Sequence, residues 1–132
     1  MTGEADLATL LRTMEPVLDD ANFVFCSIGR SPTADEVETA IAFVREDEGT
    51  TLVLRHEDAT LMGMNCSSPM ACITLTVHSS LEAVGLTAAV ASALGGVGIA
   101  CNVIAGFHHD HLFVPVDRAD AAMSALQALT AN

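Results

Sequence analysis

The chain has 132 residues, 51% of them hydrophobic, with 17 Asp and Glu against five cations that are all Arg, and a formal net charge of −12. Such a length accommodates one domain or two very small ones, with ample apolar content for a packed interior. The acidic surface repels phosphate backbones, and a chain without Trp or Tyr has few stacking platforms, so nucleic acid is excluded as a partner. No stretch approaches the ~18–20 apolar residues that span a bilayer, and no basic start precedes an apolar run. No membrane partner and a cytoplasmic location are therefore expected.

Leu7, Leu10, Leu11 and Met14 recur at helical spacing, giving an amphipathic helix that Pro16 should end. Phe23–Ile28 reads as a strand, and Ser31-Pro32-Thr33-Ala34-Asp35-Glu36 as a turn leading into a short helix. Ala42–Arg45 and Thr50–Leu54 form a hairpin around Asp47-Glu48-Gly49, followed by a short helix from Glu57 to Leu61. The polar turn Cys66-Ser67-Ser68-Pro69 is a boundary, dividing the chain into units 1–66 and 70–132.

Strand Ala71–Val77 alternates Ile73, Leu75 and Val77 against Thr74, Thr76 and His78. A loop through Ser79–Gly85 opens a helix whose apolar stripe is Leu86, Val90, Leu94 and Val97. Gly95-Gly96-Val97-Gly98 follows that helix, so it reads as a C-cap and turn, not as a phosphate-binding loop. Strand Ile99–Phe107 turns at His109-Asp110 into strand His111–Val116. A last helix starts near Asp117, whose side chain can cap it, and buries Ala122, Met123, Leu126 and Leu129. This βαββα run lacks one strand of a six-element unit, which the N-terminal half must supply or which is left open. Leu54–Ala59 and Val116–Ala121 both pass from strand to helix, a short internal repeat that points to duplication.

Few residues suggest chemistry. No serine or cysteine sits in a nucleophile elbow or beside a base at recognisable spacing, so no catalytic residue and no cofactor are assigned. Cys26, Cys66, Cys72 and Cys101 lack C-x-x-C spacing and read as reduced packing residues. His108-His109-Asp110-His111 offers imidazoles and a carboxylate. Strand alternation lets His109 and His111 share a face while His108 cannot, so the segment reads as a turn and strand edge, and no metal residue is assigned. Gly85 before a helix is different, because free N–H groups at a helix start favour a carboxylate.

The segment from about Ala71 to Leu129, with Val84-Gly85-Leu86 at the helix start and Gly98-Ile99-Ala100-Cys101-Asn102-Val103-Ile104 on the next strand, resembles an ACT domain. The second run is similar to a strand in the regulatory region of aspartate kinases, where an Asn-bearing strand helps form an effector site between paired ACT domains. Arg45–Leu52 and His108–Pro115 resemble phrases of short stand-alone bacterial and archaeal proteins with two ACT-like units and no enzyme. The resemblance implies an α+β fold, two tandem ferredoxin-like ACT units of βαββαβ type that complete each other's sheets, the first divergent. It implies a non-catalytic regulatory sensor of an amino acid or similar small carboxylate. Val84, Gly85 and Leu86 would offer backbone N–H groups to the ligand carboxylate. Asn102, with Val103 and Ile104, would hold its amino group. Homo-oligomerisation is expected, since Ile99–Phe107 at a sheet edge would leave backbone groups unpaired, and a partner enzyme would receive the signal. The rival reading is a ligand-free interaction module. A weaker one is a metal-binding protein built on His108–His111.

Overall fold

Pro16 both stops the first helix and begins the first strand, since its fixed φ and missing N–H are tolerated at a strand's first residue. A computed structural model describes residues 6–77 and 84–130, and expectations that fall on His78 and on Ser79–Ala83 lie outside the described residues. The elements are α1 Leu7–Thr13, β1 Pro16–Ile28, α2 Ala34–Thr39, β2 Ala42–Glu46, β3 Gly49–Arg55, α3 His56–Leu61, β4 Met70–Leu75, α4 Leu86–Gly96, β5 Asn102–Ala105, β6 Asp110–Pro115 and α5 Ala119–Thr130. Two compact units result, one of Met1–Asp20 with Ala71–Asn132, the other of Ala21–Met70. Each contains the order βαββα, as β4-α4-β5-β6-α5 and as β1-α2-β2-β3-α3.

In the first unit the strands lie in the order β1-β4-β6-β5, so the start of β1 supplies the additional strand. The Thr76 N–H donates to the Glu15 carbonyl just before that strand. Ala71, Ile73 and Leu75 of β4 and Leu112 and Val114 of β6 face one way. Leu10 of α1, Leu86, Val90 and Leu94 of α4, and Ala119, Ala122 and Leu126 of α5 cover them. Asp6 starts α1 by accepting from the Thr9 N–H at 3.0 Å and the Thr9 hydroxyl at 2.8 Å, a cap of about 1 kcal/mol.

Helix α4 ends in a Schellman motif: the Ile99 N–H reaches the Leu94 carbonyl at 2.9 Å, and the Gly98 N–H reaches that of Gly95 at 3.0 Å. Leu94 and Ile99 are both buried, the apolar contact that accompanies this motif. Val97 is therefore the cap residue and 51% exposed, not a fourth member of the stripe. Gly98 and Ile99 complete this stop, and β5 begins at Asn102, later than its apolar run suggests. Asp117 lies inside a 3-10 turn, Val116–Arg118, through which the chain enters α5, so the expected Asp117-capped start gives way to that turn.

The second unit has the strand order β2-β3-β1. Antiparallel registers run Glu46↔Gly49 to Ala42↔Val53 across the hairpin and Phe23↔Arg55 to Ile28↔Thr50 across β1 and β3. Val24, Cys26, Leu52, Leu54 and Ala59 form its buried cluster. Strand β1 is longer than its apolar half, since its run Val17–Asp20 is exposed on both faces yet remains in the strand. The expectation of four reduced cysteines is corrected here. Cys26 and Cys66 are joined by a disulfide, while Cys72 and Cys101 are free. The two partners are 40 residues apart and come together only as an isolated antiparallel bridge, a relation that spacing along the chain does not reveal.

Gly49 closes the hairpin with φ +141°, and a Cβ there would collide with the Ile28 carbonyl oxygen. Gly49→Ala should therefore destabilise the protein by about 2 kcal/mol or more, combining overpacking with a disfavoured backbone conformation. Urea unfolding of the two proteins at one temperature measures this, and equal midpoints would contradict it.

Candidate functional site

Helix α4 starts at Gly85 with φ +102°, a left-handed conformation that side chains disfavour, and a Cβ there would lie 3.0 Å from Cδ2 of Leu7. The first intrahelical bond runs from the Ala89 N–H to the Gly85 carbonyl at 2.8 Å. As at any helix start, the amides of Leu86, Thr87 and Ala88 have no intrahelical acceptor, and glycine brings no side chain to cap them. Val84 is 83% exposed, and Leu86 is buried in the core. The helix start thus places three amides that lack an acceptor within the helix above the buried Leu86.

The three expected residues on β5 do not all face that helix. Val103 pairs with Leu112 and packs against the core beneath α4. Asn102 pairs with Phe113 and Ile104 with His111, so these two project from the opposite face of the sheet. The chain enters β5 from the last turn of α4, while Gly85 lies at the other end of an eleven-residue helix, about 16 Å long. Within one unit, then, Val84, Gly85 and Leu86 form one group and Asn102 and Ile104 another. In the strand order β1-β4-β6-β5, β5 is an edge, which leaves outward backbone groups of Asn102–Ala105 without a strand partner in their unit.

The histidine hairpin lies beside β4. The strand turns through Gly106–His109, with the Gly106 N–H donating to the His109 carbonyl at 2.9 Å. His111 Nδ1 is 2.9 Å from the Thr74 hydroxyl and His109 Nδ1 is 3.3 Å from the Val77 carbonyl, whereas His108 is exposed. Among the described residues, no three His, Cys, Asp or Glu side chains converge on a metal position. Desolvation and the neighbouring His109 depress the His111 pKa, and Asp110 opposes them.

An arrangement absent from the expected site occurs in the second unit. Thr33 and Glu36 form a capping box at the start of α2, and Glu36 also receives both guanidinium nitrogens of Arg30 at 2.8 Å. The Arg30 bonds, then the Thr33 N–H at 2.8 Å, hold the Glu36 carboxyl down at about 2. Arg30, Ser31 and Arg45 line an open cavity of about 260 Å³ with Glu46–Thr50. The Thr-x-x-Glu spacing was a legible signal for the box. The Arg30 contact depends on the path of the intervening loop.

Residues 2–71 match one family model described as ACT domain, and residues 67–128 match a second with the same description. No curated protein matches. A crystal structure from Vibrio cholerae, titled a protein of unknown function and possible transport protein, is 46% identical over 94% of this chain and 95% of its own, with a TM-score of 0.83. A protein from Agrobacterium tumefaciens is 16% identical with a TM-score of 0.74, covering 89% of each chain. The ligand-free regulatory subunit of aspartate kinase from Thermus thermophilus is 10% identical with a TM-score of 0.60, covering 89% of this chain and 98% of that one. At these identities the last two share the fold alone. Among the described residues no helix is long and apolar enough to cross a membrane.

Two pH responses follow. His111 favours its neutral form in the folded state, so its contribution is complete above the ordinary value of 6.5 and is lost as pH falls below it. His111→Asn should flatten that part of the stability profile. Glu36 acts in the opposite sense: its depressed pKa supplies stability above the ordinary 4.5 that disappears as pH falls through about 2. Glu36→Gln should be less stable at neutral pH, with the difference closing in acid. Melting temperatures measured from pH 2 to 8 test both, and parallel profiles for wild type and variant would refute the assignment.

Proposed function

The chain belongs to the ACT domain family, and on that premise we propose that it is a non-catalytic regulatory protein that senses an amino acid or similar small carboxylate. The observation that supports this is the start of α4, where a left-handed Gly85 places no capping side chain over the first three helix amides. The ligand carboxylate would sit on the backbone of Val84, Gly85 and Leu86. Asn102, flanked by Val103 and Ile104 on the edge strand, would receive the amino group, since an amide side chain both donates and accepts. Because Asn102 faces away from α4 in its own unit, one ligand would meet both groups only when a second copy brings its β5 to the helix start. Binding and self-association are then one event, and occupancy would reach a partner enzyme through it.

A second reading has its own support. Strand β2 is an edge of its unit and exposes Phe43 and Val44, with exposed Ile41 just before it. Unpaired backbone beside apolar side chains invites strand addition, which favours an interaction module that assembles without a ligand.

Titration calorimetry across the proteinogenic amino acids separates the two. The sensor reading expects one ligand to bind, to add about 2.7 kcal/mol of stability at 100 times its Kd, and to promote dimerisation. Asn102 is exposed, so Asn102→Ala should leave the melting temperature unchanged and weaken binding about tenfold, roughly 1.4 kcal/mol. No heat from any amino acid, with a ligand-free dimer of the 13.7 kDa chain that Val44→Lys dissociates, would transfer the assignment to the interaction module.

A further inference from the structure

The second compact unit is tied across its ends by one covalent bond. Cys26 and Cys66 stand opposite one another with Cα atoms 4.3 Å apart, and the loop between them contains all of α2, β2, β3 and α3. Nearly the whole of Ala21–Met70 therefore lies within the ring that the bond closes. Its buried cluster has five members, of which Cys26 is one, against fourteen in the first unit. A core that small holds its chain weakly without a staple. Apart from the Cys66 bridge, Met62–Pro69 has neither helix nor strand. It reaches β1 through the cysteine pair and through Ser67, whose N–H donates to the Phe25 carbonyl at 2.9 Å and whose hydroxyl accepts from the Phe25 N–H at 3.0 Å.

We propose that Cys26–Cys66 is a thiol–disulfide exchange site that controls the order of the second unit, closed when oxidised and loosened when reduced, with a small thiol–disulfide couple of the glutathione class as its reactant. Cys66 is half-buried while Cys26 is 1% exposed, so exchange takes place at the Cys66 sulfur. A thiolate attacks Sγ of Cys66, the S–S bond breaks, and Cys26 leaves with the electron pair and takes up a proton. A second thiolate attacks the mixed disulfide, releasing Cys66 and the small-molecule disulfide. Two small thiols are oxidised as the protein disulfide gains two electrons and two protons, and the reverse sequence closes the ring. The other thiols stay out of this chemistry. Burial pushes Cys72 up to about 11 and raises Cys101 as well, leaving each with little thiolate.

The first unit has its own core and contains neither cysteine of the bond, so the loosening is expected in the second unit.

The test uses the full chain in mixtures of reduced and oxidised glutathione, quenched in acid, denatured and alkylated before mass measurement. Two alkylated cysteines are expected in oxidised glutathione and all four in the reduced form, with half conversion at an intermediate ratio. Hydrogen exchange on the same samples should show amides of β2 and β3 exchanging about tenfold faster after reduction, while those of β4, β6 and α5 are unchanged. A Cys26→Ala, Cys66→Ala protein should behave as the reduced form in every mixture, and its first-unit amides show whether it has kept its fold. Four alkylated cysteines in oxidised glutathione would overturn the proposal. So would a bond that survives excess reduced glutathione, or exchange in β2 and β3 that ignores the redox state.

Discussion

The first unit depends on one constraint, the two-residue period of β4 and β6. Ala71, Ile73 and Leu75 must leave the sheet on the same side as Leu112 and Val114, because only then can α1, α4 and α5 share one apolar floor. A slip of one residue would send Thr74 and Cys72 into that core and turn Ile73 to the opposite face. With the register fixed, the places of the other groups follow. Gly85 comes to rest at a helix start anchored by Leu86, and His111 reaches Thr74 on the far face. Asn102 is carried to the same far face by its pairing with Phe113.

That far-face placement shapes the functional argument. A carboxylate site made from helix amides and an ammonium site made from a strand amide are each ordinary pieces of chemistry. Held on opposite faces they do not make one pocket within a unit, so the proposed site requires a second copy. The same pleat that builds the core thus decides that a shared ligand would have to be read by two copies. The edge position of β5 supports this, since an edge offers backbone groups as well as side chains.

The second unit is built to a different balance. It buries five apolar residues in its cluster and compensates with polar and covalent ties. Glu36 closes a capping box and a bidentate pair with Arg30, and Cys26 holds Cys66 against β1. These ties respond to solution conditions in a way that burial does not. Acid removes the first by protonating the carboxylate, and thiols remove the second. An acidic chain with a small core therefore has two chemical controls on one unit and few on the other.

By itself the sequence determined the kinds of element and their order. Helical spacing of Leu7, Leu10 and Met14, the Asp47-Glu48-Gly49 turn, alternation along Ile73 and Leu75, and the Gly95–Gly98 stop are local signals, and each became the element its pattern implied. The order of elements and the quoted motifs also carried the family resemblance, which the family models bear out. Tertiary structure decided what local patterns leave open. Strand β1 extends back to Pro16 because a neighbouring strand accepts it, although Asp19 and Asp20 look like loop. Cys26 finds Cys66 across forty residues, a pairing set by how a chain folds back and not by composition. Gly85 stood out from its residue type before a helix and Asn102 only through the family resemblance, while the faces they occupy are a matter of register, which emerges only when non-local strands pair.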